Sequence, residues 1–372
     1  MRTFDYRHLP RQLFDGKVGN ANVRLYQDKG KLDLLKQMDA AGLTTLEGSA
    51  HFDNVEASTR IEGLYIDSSR TRELLEGATA LTETEAQVIG YSNALRMIES
   101  VADMDGAANG DAASDMEGAA QCEGAAQSLD VSTATILALY ETLYKHRNLG
   151  RKSRYRKKDY AYVQVDGHLQ AMPVSPITAF ETPLVLGGAC DSLAEAFNAD
   201  ACSPLILSAV FTVDFLCIRP FDEGNGRIAR LFAELLLEKA GFDVFRYVSI
   251  DRIIEKRAME YYDALNACVE KWDRGLNNYE PYVRFWLKIV HEAYEMLFAL
   301  VDGGAISGTG GKSERVRLFV KNSGESVTKR QIKMALSDVS EATIEAALGK
   351  MVKEQLVEKL GAGRSTAYRW IG

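Results

Sequence analysis

The sequence predicts a mainly α chain that ends in a small winged helix-turn-helix domain. Three observations predict it. Apolar residues recur at helical spacing through most of the first 300 residues. Only one strong hairpin signal interrupts them, Asp166-Gly167 between apolar-alternating stretches at 160–165 and 168–174. The last 60 residues change character, with 11 Lys+Arg against 7 Asp+Glu in a chain whose net charge is −8.

At 372 residues the chain suits one large and one small domain. A hydrophobic fraction of 46% and a charged fraction of 26% are those of a globular chain able to bury a sizeable core. The negative balance argues against a nucleic-acid or membrane coat. No apolar run approaches the roughly 18–20 residues that span a bilayer, so no membrane partner is expected. The opening MRTFDYRHLPRQLFDG has no apolar h-region, and a cytoplasmic location is expected. Five scattered cysteines, Cys122, Cys190, Cys202, Cys217 and Cys268, include no C-x-x-C pair. They predict reduced thiols and no zinc site or disulfide framework.

In chain order, 28–41 and 69–100 read as amphipathic helices. The segment 103–127 holds six acidic residues, no basic ones and three Gly-Ala-Ala repeats. It cannot bury enough apolar surface to offset its ordering entropy, and a mobile surface insertion is expected. Helix resumes over 132–146. A basic run follows (Arg151, Lys152, Arg154, Arg156, Lys157, Lys158), read as a solvated face, and then the hairpin. PLILSAVFTVDFLC, 204–217, is almost wholly apolar and predicts a helix buried on most sides. Ile228, Leu231, Phe232, Leu235 and Leu236 then mark one apolar face of a second core helix, stopped by Gly241. Helices are expected over 250–270 and 282–300.

Between the two core helices lies IRPFDEGNGRIAR, 218–230. Gly224 and Gly226 let the backbone approach a ligand. The amides opening the following helix, at its positive dipole end, form an anion hole. Arg227 and Arg230, at i and i+3, share a helical face and can clamp phosphate oxygens. Asn225 adds a neutral donor. Glu223 is the candidate Mg²⁺ ligand, since Mg²⁺ binds through one or two carboxylates plus substrate phosphates.

PFDEGNGRIAR resembles the signature of the Fic domain, H-x-F-x-[D/E]-G-N-[G/K]-R-x-x-R, matching it from Phe221 to Arg230. The resemblance, over roughly residues 1–300, implies a helical core with a β-hairpin flap. It also implies AMP transfer from Mg-ATP to a Ser, Thr or Tyr hydroxyl of a protein target, which could be the chain itself. Glu223 would then hold Mg²⁺. Gly224, Asn225 and Gly226 would cradle the α- and β-phosphates, helped by Arg227, and Arg230 would hold the γ-phosphate. The hairpin would be the flap that aligns the target by strand addition, and YYDAL, 261–265, would border the nucleotide.

ASTRIEG, 57–63, resembles the family's inhibitory motif [S/T]-x-x-x-E-[G/N], with Ser58, Glu62 and Gly63 in the matching places. There a glutamate pairs with the second signature arginine, competing with the γ-phosphate for one guanidinium fork. The resemblance predicts 1–100 as an N-terminal helical region with the inhibitory motif at 58–63. It predicts 101–130 as the acidic insertion and 131–300 as the Fic core with the signature at 219–230. The linker is then 301–313 and the winged helix 314–372.

The family's histidine falls at Arg219. That histidine takes the proton from the attacking hydroxyl, and arginine cannot be deprotonated in a protein. Three readings are compatible with Arg219. The chain is a weak or inactive module that still binds ATP. Or another group supplies the base, with His146, His168 and Asp222 as candidates. Or Glu62 activates a water to remove AMP from a modified target. General acid–base help is worth about 10²–10⁴-fold, so AMP transfer is expected to be crippled while nucleotide binding persists.

The terminal domain reads as helices over 313–322, 328–336 and 341–354, then two strands around Gly361-Ala362-Gly363. A nucleotide-sensing regulator that binds DNA through this winged helix is the alternative function. Lys350, Lys353, Arg364 and Arg369 could meet phosphates. Glu341 and Glu345 at the start of the recognition helix argue against tight major-groove binding, and protein contact or dimerisation would use the same fold. The sequence is compatible with a homodimer.

Overall fold

The computed structural model describes residues 2–108, 129–146, 155–159, 162–165, 168–171, 177–302, 312–323, 326–336, 339–361 and 366–371. Most of the acidic insertion, the hairpin turn, residues 303–311 of the linker, Cys122 and Arg364 lie outside them. The architecture is mainly helical, with a two-stranded hairpin and a small three-stranded antiparallel sheet near the C-terminus.

The first helix, α1, is Gly16–Ile61, much longer than the 28–41 expected. It is broken once, at Asp39 (φ −149°, ψ 61°). Asp39 Oδ1 accepts from the Gly42 amide at 2.9 Å, so this residue caps the second half as an N-cap would. The expected helix over 69–100 is two helices, α2 (Ser68–Leu75) and α3 (Glu83–Ala108). Gly77, at φ +108°, turns the chain between them. Arg70 Nε, 2.9 Å from Glu85 Oε1, fastens the turn. Helix α3 runs six residues into the segment read as insertion.

Helix α4 (Thr133–Tyr144) is capped by Ser132. Strands β1 (Tyr162–Val165) and β2 (His168–Ala171) pair antiparallel, as the Asp-Gly signal requires. Helix α5 (Thr182–Asn198) had no counterpart in the sequence reading, where adjacent Gly187 and Gly188 obscure an apolar stripe of Val185, Leu186, Ala189 and Leu193. The centre is α6 (Pro204–Ile218), buried along nearly its whole length, and it packs on α5, on α7 (Asn225–Lys239) and on α10 (Glu280–Asp302). The expected helix over 250–270 breaks at Arg257 into α8 (Ile250–Lys256) and α9 (Ala258–Cys268).

One buried cluster runs from Tyr6 to Leu297, so α1–α3 build the same core as α4–α10. One buried acid in it is matched on every side. Asp214, on the apolar α6, accepts from Trp272 Nε1 at 2.6 Å and from the hydroxyls of Tyr6 and Tyr279 at 2.7 Å each. Arg2 lies 3.3 Å away as its counter-charge. An unmatched carboxylate there would cost several kcal/mol, about the whole margin by which a domain is stable. Cys190, Cys202, Cys217 and Cys268 are free and buried. No helix among the described residues is long and apolar enough to cross a membrane.

A second cluster, from Val316 to Tyr368, joins α11 (Lys312–Asn322), α12 (Lys329–Ala335), α13 (Glu341–Lys353) and three strands. Strands β4 (Val357–Leu360) and β5 (Ala367–Trp370) form the wing. A third strand, β3 (Val327–Thr328), pairs with β5 and was not foreseen from so short a run. Thr328 and Gln331 close a capping box at the start of α12.

Helix α7 also buries two acids. Burial pushes Glu238 up to about 7 even though Arg246 Nε sits 2.7 Å from its Oε1. Its folded-state value lies above the ordinary 4.5, so the folded chain binds this proton more tightly than the unfolded chain. That stabilisation is complete below about pH 4.5 and is lost as pH rises through about 7. Between pH 5 and 8 thermal stability should fall by roughly 1–3 kcal/mol from this group. Glu238→Gln should flatten the slope in a melting series across that range.

Candidate functional site

Helix α6 ends at Ile218, and Arg219 caps it in the left-handed region (φ +46°, ψ 66°), its amide donating to Phe215 O at 2.9 Å. The conformation is costly for a residue with a Cβ, and it turns the chain sharply into the loop. Three contacts then fix the loop. The Phe221 ring stacks on Tyr140 with centroids 3.9 Å apart and planes at 12°. The Asn225 side chain accepts from the Phe221 amide at 3.1 Å and donates to Phe221 O at 2.8 Å. The Arg156 amide donates to Pro220 O at 2.9 Å.

Two of these contacts change the sequence reading. Asn225 is buried and braces the loop through its amide, where the sequence suggested only a phosphate donor. Arg156, assigned to a solvated run, is buried, and its guanidinium donates to the carbonyls of Lys158 and Ile177. A segment that must close on the loop backbone cannot leave this arginine in water.

Gly224 sits at φ +75° before α7. A Cβ there would lie 2.5 Å from the Tyr144 hydroxyl oxygen, so glycine is required twice over, by backbone and by space. Tyr144 also accepts from Arg227 Nη2 at 3.0 Å, and the Arg227 guanidinium stands 5.6 Å over its ring. Arg227 and Arg230 lie in the first two turns of α7, three residues apart as on one helical face, and both are buried.

Arg230 is where the two sequence motifs meet. Its Nη2 donates to Ser58 Oγ at 2.9 Å and to Glu62 Oε1 at 3.2 Å. Its Nε lies 3.0 Å from Asp251 Oδ1. Burial works against its charge, but Asp251 and Glu62 outweigh burial and hold the guanidinium charged well above its ordinary value. Ser58 and Glu62 reach it from the end of α1. Gly63, at φ +73°, ends that helix, with its amide on Arg60 O at 2.9 Å and the Leu64 amide on Thr59 O at 3.1 Å. The motif's glycine is therefore a helix stop that leaves Glu62 at the tip. Glu62 Oε1 lies 2.5 Å from the point a Gly226 Cβ would occupy, so the carboxylate rests on the backbone of the first turn of α7. An anion already occupies the helix N-terminus, where the dipole favours one.

Glu223 is half-buried at the loop and Asp222 is exposed. Among the described residues no three His, Cys, Asp or Glu side chains are grouped to hold a metal. A Mg²⁺ near Glu223 would therefore take most of its ligands from phosphate oxygens and water, which is its habit. The glycine-lined cradle with Glu62 in it fits an anionic ligand. Of the candidate bases, His146 lies past the end of α4 with Asn93 Nδ2 3.2 Å from its Nε2, and His168 opens β2. Tyr261 is buried near Arg230, and the Tyr262 hydroxyl donates to Ile61 O at 3.3 Å, tying the YYDAL stretch to the end of α1.

The sequence reading missed Tyr144, Tyr91, Asn54 and Asp251. Tyr140 and Tyr144, at i and i+4 on an aliphatic helix, were a usable signal. So was Asp251, an acid among Ile250, Ile253 and Ile254.

Residues 130–237 match the Fic/DOC family. Residues 326–371 match the C-terminal domain described as transcriptional regulator DIP2311-like. No curated protein matches the chain. Solved structures are similar in fold. A Fic family protein from Desulfovibrio desulfuricans has TM-score 0.55 and 18% identity, covering 95% of this chain and 96% of that one. A Fic domain containing signaling protein from Bacteroides thetaiotaomicron has TM-score 0.52 and 19% identity, covering 76% and 97%. Fic-1 from C. elegans has TM-score 0.55 and 18% identity, covering 76% and 72%.

Gly224→Ala should cost about 1–3 kcal/mol, from its positive φ and from the collision with Tyr144. With Tyr144→Ala also present the collision disappears. The two changes together should then cost less than their sum, which a thermal or denaturant double-mutant cycle measures.

Proposed function

We propose that this chain, which carries a Fic/DOC family domain and a DIP2311-like C-terminal domain, binds Mg-ATP at the 219–230 loop and transfers AMP to a Ser, Thr or Tyr hydroxyl of a protein. Glu62 holds the site off, and Arg219 makes turnover weak. The observation that carries this reading is the Glu62–Arg230 contact at 3.2 Å. Two motifs far apart in sequence, each matching its counterpart in the resemblance, meet on one guanidinium.

The chain's own residues divide the work as follows. The first amides of α7, with Gly224 and Gly226, donate to the phosphates at the positive end of the helix dipole. Arg227, steadied by Tyr144, adds a fixed positive charge. Arg230 takes the terminal phosphate once Glu62 withdraws. Glu223 holds Mg²⁺. In the transfer the hydroxyl oxygen bonds to the α-phosphorus of ATP, the bond from that phosphorus to the bridging oxygen breaks and pyrophosphate leaves; the metal would screen the phosphate charges. Arg219 can stabilise negative charge but cannot take the hydroxyl proton.

AMP transfer from α-labelled ATP tests this in four versions: the chain as it is, Glu62→Gly, Arg219→His and the double variant. Strong labelling is expected only with Arg219→His, and most in the double variant, with a gain of about 10²–10⁴-fold over Glu62→Gly alone. Calorimetry should show ATP bound in the Glu62→Gly version. Strong labelling by Glu62→Gly alone would mean that another base exists.

The match at 326–371 favours a second reading, a nucleotide-sensing regulator that binds DNA. Three of its basic side chains are paired: Lys329 Nζ lies 2.6 Å from Glu345, Arg369 Nη2 2.6 Å from Glu358 and Lys350 Nζ 3.9 Å from Glu354. Such exposed pairs are weak, and phosphates can compete for them. Duplex binding should therefore be weak and steeply salt-dependent. A titration in which duplex DNA never shifts the protein even at low salt would remove this reading.

A further inference from the structure

Arg230 has carboxylates at two edges, and they are held very differently. Glu62 reaches the Nη2 edge from the tip of a helix, with 23% of its side chain exposed. Asp251 meets the Nε edge with its side chain fully buried. That contact is ionic, outside the alignment of a hydrogen bond. Asp251 is itself anchored from three elements. It sits in the first turn of α8, which Ser249 caps. The Tyr91 hydroxyl on α3 donates to its Oδ2 at 2.6 Å. Asn54 on α1 accepts from Ser249 Oγ at 2.6 Å and from the Asp251 amide at 3.4 Å.

Among the described residues no other carboxylate is recorded against this edge of the guanidinium. Glu234 lies one turn along α7 and is fully buried, with neither carboxylate oxygen hydrogen-bonded. Burial, then the charges of Asp251 and Glu99, push its carboxyl well above the usual range. Burial and the neighbouring Asp251 likewise raise Tyr91, which stays a donor. Arg230 Nη1 meanwhile stands 3.3 Å from the Gly226 Cβ position, on the floor of the cradle.

We infer that Asp251 is a positioning residue for triphosphate recognition: anchored by Tyr91 and Asn54, it holds the Nε edge of Arg230 so that the terminal nitrogens stay aimed at the cradle when Glu62 leaves. This rests on the reading of the loop as a nucleotide site. Glu62 is the removable partner and Asp251 the permanent one. Without Asp251 the Nε edge would have no counter-charge at the moment the ligand displaces Glu62. A terminal phosphate is the part of the ligand that feels this, because the inner phosphates lie on Arg227 and the loop amides.

The test measures ATP and ADP affinity by calorimetry in the full chain carrying Glu62→Gly, alone and with Asp251→Asn, Tyr91→Phe or Arg230→Ala. Asp251→Asn and Tyr91→Phe keep the shapes of the side chains, and a melting curve checks that each variant is folded. The parent should prefer ATP, and Arg230→Ala should abolish that preference. Asp251→Asn should lower it about fivefold or more, with ADP affinity within about twofold. Tyr91→Phe, which removes one anchor, should fall between. An unchanged preference in both near-isosteric variants would overturn the inference. So would a joint rise in ATP and ADP affinity, which would make Asp251 a bystander charge, or a joint fall, which would make its role structural. A parent that binds neither nucleotide would overturn the site reading and this inference with it.

Discussion

A buried arginine is the constraint from which much of the structure follows. Arg230 is 2% exposed on an apolar helix, and an ionised group there is tolerated only with opposite charges and hydrogen bonds around it. Two distant segments supply them. The end of α1 brings Ser58 and Glu62, and the capped start of α8 brings Asp251. Helix α1 therefore has to run far enough to reach α7, and it packs along α8 on the way. Outside the cavity the same two helices are tied by Arg252, whose guanidinium lies 2.9 Å from Asp53, 2.5 Å from Glu56 and 2.7 Å from Glu255. The inner contact carries specificity. The outer pairs, partly wet, add modest attraction that salt weakens.

The loop is rigid for reasons independent of charge. It leaves one buried helix and enters another, so both of its ends are fixed by apolar packing. Within it the Phe221–Tyr140 stack, the Asn225 brace and the Gly224–Tyr144 contact each remove a degree of freedom. A loop held this way keeps its amides oriented before any ligand arrives, and preorganised donors are what make a small anion site effective. The left-handed Arg219 belongs to the same design. Its strain is balanced by the packing on either side and sets the angle at which the loop departs from α6.

The sequence carried the parts of this that depend on local rules. Apolar periodicity located α6 and α7, Asp-Gly located the hairpin, and Gly224, Gly226, Arg227 and Arg230 were legible because backbone freedom and i, i+3 spacing are local. Glu62 and Ser58 were legible only through resemblance, since nothing in ASTRIEG itself points to residue 230. Asp251 and Tyr91 were not legible, because their role exists only where α3, α7 and α8 converge. Arg156 was misassigned for the opposite reason: six basic residues in a run look solvated, and only the fold turns one of them inward. The break at Arg257 and helix α5 were hidden because propensity alone cannot weigh tertiary burial against glycine pairs and weak turns.

On the proposed reading, the two-sided grip on Arg230 lets a single carboxylate govern a site that takes phosphate. Glu62 offers one negative charge, and it competes as part of the same molecule, so it faces no concentration limit. A terminal phosphate carries more charge and could use the whole terminal edge of the guanidinium. The balance between them then depends on how firmly α1 is docked. A small loss of docking energy would move the population strongly, because every 1.4 kcal/mol is about tenfold in an equilibrium. The helix has a built-in break at Asp39, which divides the half carrying Ser58 and Glu62 from the first half. On the proposed reading, inhibition is set by the charged contacts of residues 53–62 with α7 and α8, and the chemistry of the loop itself need not change for the site to open.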